Sequence, residues 1–183
     1  STWVCRGDPA MGGQLTKLDS NIGIVGPHAW CFLEKNRCVF LSHDGVYLMQ
    51  GECGSPPLSL SRERLPDDLL DESDDIVLEG DIHGRGFYIL RSGTSASKTH
   101  YWVDVKTSFK GDRFDVAFFE QTVPDTDFEP RIAHQRRGHS AATSWTLFVC
   151  RDGYIRHHDH RLAQDNSTYH ATYGDQRDGT GFD

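Results

Sequence analysis

Two Asp-Gly dipeptides, each set between apolar runs, do most to limit how this chain folds. One lies in Val39-Phe40-Leu41-Ser42-His43-Asp44-Gly45-Val46-Tyr47. The other lies in Leu147-Phe148-Val149-Cys150-Arg151-Asp152-Gly153-Tyr154-Ile155. Glycine tolerates the positive φ that a tight β-turn needs, so Asp-Gly between apolar segments is a strong hairpin signal. The pattern predicts that 38–42 pair with 46–50 and that 146–150 pair with 154–157. Further short runs rich in Val, Ile, Tyr, Phe and Trp alternate with turn residues. They fall at 22–25, 29–33, 76–79, 87–90, 101–105 and 114–119. Residues 22–50 read as a four-strand meander, 91–99 as a long hairpin loop and 121–143 as irregular. Leu65-Pro66-Asp67-Asp68-Leu69-Leu70 reads as one short helix near 65–71, with proline and acids early.

The hairpins recur. Val46, Tyr101 and Tyr154 occupy matching places and stand 55 and 53 residues apart. Repeats of about 40–50 residues, each holding about four short strands, are the units of β-propellers. The sequence therefore predicts an all-β, propeller-like sector of about three blades. The alternative is a β-sandwich with two chance hairpins. Three blades fall short of the roughly four to eight that close a ring. The predicted divisions are an N-terminal extended segment, 1–21, the propeller-like domain, 22–162, and a polar C-terminal segment, 163–183. On this reading the aromatic residues Trp30, Phe40, Tyr47, Phe87, Trp102, Trp145 and Phe148 belong to the core. A three-blade sector also leaves apolar end faces uncovered, so the chain is expected to self-associate or to need more protein around it.

Composition excludes several classes. The 183 residues are 37% hydrophobic and 25% charged, enough for a packed core. There are 27 acidic residues against 19 Lys and Arg, a net charge of −8. That balance argues against a general nucleic-acid binder. No run reaches the roughly 20 apolar residues of a membrane-spanning helix. The opening Ser1-Thr2-Trp3-Val4-Cys5 has neither the charge nor the apolar stretch of a signal peptide. The missing initiator Met suggests a processed or excised piece. Cys5, Cys31, Cys38, Cys53 and Cys150 have irregular spacing and read as small core residues in a reducing compartment. Cys31 and Cys38 are placed to face each other across a hairpin.

No catalytic, cofactor or metal site emerges from the residues. His157-His158-Asp159-His160 is the one dense ligand run, and reads as a solvated loop. The acids Asp67, Asp68, Asp71, Glu72, Asp74 and Asp75 lack the loop chemistry of a calcium-binding hand. Arg6-Gly7-Asp8 spells an adhesion tripeptide but reads as a turn. A serine-nucleophile elbow is absent, and Arg91-Ser92-Gly93-Thr94-Ser95 matches it only loosely. Glu34, Asp44, Glu63, Asp104 and Asp152 offer carboxylates, yet spacing does not say which converge. Asp44 and Asp152 already serve turns. Trp30, Trp102 and Trp145 with Tyr47, Tyr101 and Tyr154 offer a sugar-stacking surface, against which the core reading is preferred.

An ordered set of segments carries a family resemblance. Arg6-Gly7-Asp8-Pro9 with Gly12-Gly13 precedes Ile22-Gly23-Ile24-Val25-Gly26-Pro27 and Ala29-Trp30-Cys31. Phe40 to Tyr47 and Leu60-Ser61-Arg62-Glu63-Arg64-Leu65-Pro66 follow, and then Tyr101 to Asp104. The order resembles propeller segments of tailed-bacteriophage virion proteins of the neck, nozzle or tail-stabilising type. It spans residues 5–105, and more weakly 144–155. The resemblance implies a structural, non-enzymatic virion component, assembled in the host cytoplasm into an oligomeric ring. Its partners would be other virion proteins and copies of itself, with no cofactor, no membrane and no specific nucleic acid. The rival reading is a carbohydrate-binding or carbohydrate-cleaving propeller. A third is a protein-interaction propeller.

Overall fold

The computed structural model describes residues 1–19, 21–33, 37–49, 56–61, 65–70, 75–81, 86–92, 99–105, 116–121, 128–139 and 144–158. These residues form an all-β structure of thirteen strands in four antiparallel sheets. None of the four sheets closes on itself among the described residues.

The N-terminal segment is a hairpin. Strand β1 (Thr2–Arg6) pairs with β2 (Gln14–Asp19). Asp8 caps the intervening 3-10 turn, its Oδ1 accepting from Ala10 N at 2.9 Å. That is the ordinary work of an Asx residue, and it gives the Arg6-Gly7-Asp8 tripeptide a structural role.

Three meanders follow. The first holds β3 (Trp30–Leu33), β4 (Arg37–Ser42), β5 (Gly45–Met49) and β6 (Leu58–Ser59). The second holds β7 (Asp75–Gly80), β8 (Gly86–Ser92), β9 (His100–Asp104) and β10 (Ala117–Gln121). The third holds β11 (Pro130–Arg136), β12 (Trp145–Cys150) and β13 (Ile155–His158). Each meander is laid down in chain order. Val46 and Tyr101 sit on the third strands of their meanders, and Tyr154 stands just before the third strand of its own.

Both Asp-Gly hairpins form as the sequence predicts. Cys38 pairs with Met49 and Ser42 with Gly45. Asp44 steadies its turn by accepting from the Tyr47 hydroxyl at 2.7 Å. In the second hairpin Val149 pairs with Ile155 and Thr146 with His158. Gly153 takes φ +84°, a left-handed conformation that other residues adopt only with strain. Asp152 accepts from Tyr154 N at 3.1 Å and from Arg156 Nη1 at 2.7 Å. The Arg156 guanidinium lies 4.5 Å from the centre of the Phe128 ring, which shields that ion pair.

Four expectations need correction. Residues 22–25 form no strand, although Val25 N donates to Leu41 O. Gly23 and the Gly26-Pro27 turn interrupt them, and the first meander finds its fourth strand at Leu58–Ser59 instead. Residues 130–136, read as irregular, are strand β11. The helix near 65–71 is a single 3-10 turn, Asp67–Leu70. Cys31 pairs with Val39 and Cys38 with Phe32, so the two thiols sit at neighbouring register positions, which point to opposite faces. Cys5, Cys31, Cys38 and Cys150 are free.

The second meander is covered on both faces. Strand β8 is buried along its whole length. Phe87 and Ile89 join Cys31, Leu33, Val39 and Leu41 in the core shared with the first sheet. Tyr88 and Leu90 point the other way, where they meet Ala133, Phe148 and Cys150 of the third sheet. The two-residue alternation of a strand thus feeds two separate cores. Each large side chain fully buried in this way contributes about 1.5–3 kcal/mol.

The sheets converge at Gly80. A Cβ there would stand 2.8 Å from the backbone oxygen of Phe32 and 3.1 Å from Gln135 Nε2. The Gln135 side chain also donates to the Gly80 carbonyl. Gly80→Ala must push β3 away from β7. It is expected to destabilise the fold by about 1–3 kcal/mol, read as a lower urea midpoint with unchanged slope.

Candidate functional site

The first strand of each meander borders a common trough. Leu78 N donates to His28 O at 2.9 Å, which joins β7 to the approach of β3. Strand β11 packs against both β7 and β8. Two cavities lie along these strands. One, of about 680 Å³, is bordered by Pro27, His43, Leu69, Asp75, Ser92 and Arg131. The other, of about 740 Å³, is bordered by Trp30, Phe32, Glu79, His134, Gln135 and Arg137. Both are bordered by His28, Val77 and Ile132, so the two cavities are neighbours along the trough. Each volume falls in the range of about 300–1,000 Å³ usual for ligand pockets.

The aromatic end of the trough is held rigidly. Trp30 Nε1 donates to Pro27 O at 3.0 Å. The Trp30 and Phe32 rings meet edge to face, 5.5 Å apart at 88°. That arrangement suits their quadrupoles. Both rings nevertheless face solvent, Trp30 at 40% and Phe32 at 60% exposure. They alternate with the buried Cys31 and Leu33, so one strand carries core residues and trough residues on opposite sides.

Glu79 supplies the negative charge at this end. Half-burial raises its carboxyl pKa, and the His134 imidazole partly offsets that. Burial, with help from the Glu79 charge, drives the Cys31 thiol well above the usual thiol range. Cys31 is therefore a core residue and not a nucleophile.

The residues weighed from sequence scatter. Phe40, Tyr47, Phe87 and Phe148 are buried as expected, and Trp102 is half-buried against the second core. Trp30 and Trp145 are exposed, the latter at 39%. Both stand on solvent-facing positions at the borders of the sheet stack, where no further sheet among the described residues covers them. Tyr101 is buried and Tyr154 exposed, so the aromatic repeat makes no single stacking surface. Ser92 is buried and donates to Asp75 O, which is no posture for a nucleophile. Asp104 lies on β9 and pairs with Ala117. Glu34 and Glu63 lie outside the described residues, as does the acidic stretch 71–74. The histidine run, expected as a loop, begins within a strand. His157 and His158 belong to β13, opposite Leu147 and Thr146, while Asp159 and His160 lie outside the described residues. Among the described residues no group of three or more His, Cys, Asp or Glu is placed to hold a metal.

Sequence reasoning missed Glu79, His134, Gln135 and Arg137 as neighbours. Glu79 was visible at the end of an expected strand. His134 and Gln135 belong to β11, whose strand character was not, and Arg137 directly follows it.

Comparison with known proteins returns no matching family model, no matching curated protein and no matching solved structure.

Proposed function

We propose that this chain is a structural component of a bacteriophage virion, from the neck or tail, that completes a propeller-like stack within an oligomeric ring. The observation that carries the assembly reading is the open face of the third sheet. Ile132 is 53% and Ile155 59% exposed there, beside exposed Trp145 and half-buried Leu147 and Val149. The opposite face of the same sheet is packed against the second meander. An apolar sheet face of this kind calls for a covering partner. At the far end of the stack, Phe40 and Tyr47 are buried while Trp30 and Phe32 are exposed. That end is therefore open along β3. The propeller reading is supported by three successive antiparallel meanders whose first strands border a common trough, as radially repeated blades would place them. The phage assignment itself rests on the ordered sequence resemblance over residues 5–105.

Sedimentation tests the assembly reading. The purified chain is expected to self-associate at micromolar concentration. Trp145→Ser combined with Ile155→Glu is expected to shift it to a monomer with unchanged far-UV dichroism. A compact wild-type monomer with a reversible two-state melt counts against the reading and favours a self-contained β-sandwich. Genes for portal, capsid and terminase beside this one would support the virion role.

A further inference from the structure

We infer that the Trp30–Phe32 end of the trough is a binding site for a neutral oligosaccharide. Four observations carry this. First, two exposed aromatic rings stand together, and Trp30 is fixed by its bond to Pro27 O. A rigid exposed indole offers its apolar face to the C–H face of a sugar at little entropic cost. Second, polar groups of both kinds border the same space: the Glu79 carboxylate, the His134 imidazole and the Arg137 guanidinium. Hydroxyl groups both donate and accept, so such a mixed border suits them. Third, acid and base occur together here, with no excess of one sign to select an ionic ligand. Fourth, two backbone groups along this edge are already engaged. Leu78 N bonds His28 O, and the Gly80 carbonyl accepts from Gln135. A further strand would therefore find part of the backbone it needs already taken. That disfavours an extended peptide added as a further strand.

The site adjoins the outer face invoked for assembly, since Ile132 borders the trough and pairs with Val149 on that face. Trp145 has an exposure close to that of Trp30 but stands on β12, outside the residues that border the trough. It is a built-in control. The test uses the full chain titrated with cellohexaose, maltohexaose and chitohexaose, read by calorimetry and by tryptophan emission. At least one is expected to bind, with a Kd of about 0.1–1 mM. Phe32→Ala, a surface change that leaves the core intact, is expected to weaken it about tenfold. Glu79→Gln is expected to weaken it several-fold, and Trp145→Ala to leave it unchanged. The inference is overturned if none of the three sugars binds. It is equally overturned if Phe32→Ala binds as the wild type does, or if Trp145→Ala abolishes binding.

Discussion

Phe87→Ala is expected to cost about 3–5 kcal/mol, the largest loss from any single truncation in this fold. Phe87 is fully buried on β8, paired with Gly80 on one side and Val103 on the other. Its ring fills the core between the first and second sheets. Removing it leaves a void that β8, paired on both sides, is poorly placed to fill. A loss of that size is a large part of the roughly 5–15 kcal/mol that holds a domain together. Urea unfolding at fixed protein concentration measures it. Phe32→Ala serves as the comparison, because that ring is mostly in solvent and its loss should cost under about 1 kcal/mol. Equal effects at the two positions would contradict the burial pattern.

Acid is expected to destabilise the fold through His100. This imidazole is buried on β9, and the backbone N–H of Arg91 donates to its Nδ1 at 3.2 Å. The proton of the neutral ring therefore sits on Nε2. Burial, and then the charges of Arg91 and Arg131, lower its pKa from 6.5 to about 4. Between those values the unfolded chain binds a proton that the folded chain refuses, so stability rises with pH across that window. It is lost progressively as pH falls from about 6.5 toward 4, by about 3 kcal/mol in all. His100→Asn keeps an acceptor near the Arg91 N–H but cannot titrate. Its stability between pH 4 and 6.5 should be flatter by that amount. An unchanged slope would show that His100 is not responsible.

The legible part of this fold is its hairpins, and the reason is local. Asp44-Gly45 and Asp152-Gly153 act within a few residues, and their turn chemistry is carried by the dipeptide itself. Strand β8 was equally visible, because a strand buried on both faces reads as a continuous apolar run. Strand β11 was not. Its sequence, Pro130-Arg131-Ile132-Ala133-His134-Gln135-Arg136, places its only two aliphatic side chains side by side, so no alternation appears. It is a strand because β12 pairs with it and the second sheet covers Ala133, and both causes are tertiary. The trough was hidden for the same reason, since Arg131, His134 and Gln135 of its polar border belong to β11. Trp30 and Trp145 misled in the other direction. Aromatic residues on alternating strands are usually core, but a stack with open borders has positions where the same alternation points to solvent.

The meeting of three sheets at Gly80 has a mechanical meaning. Strand β7 is tied to the approach of the first sheet through Leu78 N and His28 O, and to the third through the Gly80 carbonyl and Gln135. A force applied to either outer meander is delivered to the same short stretch of β7. The load is then shared between a backbone bond, a side-chain bond and a close steric contact, and no outer meander can peel away without disturbing β7. The trio behaves as a clamp that resists shear up to a common yield point, and beyond it gives way as one piece.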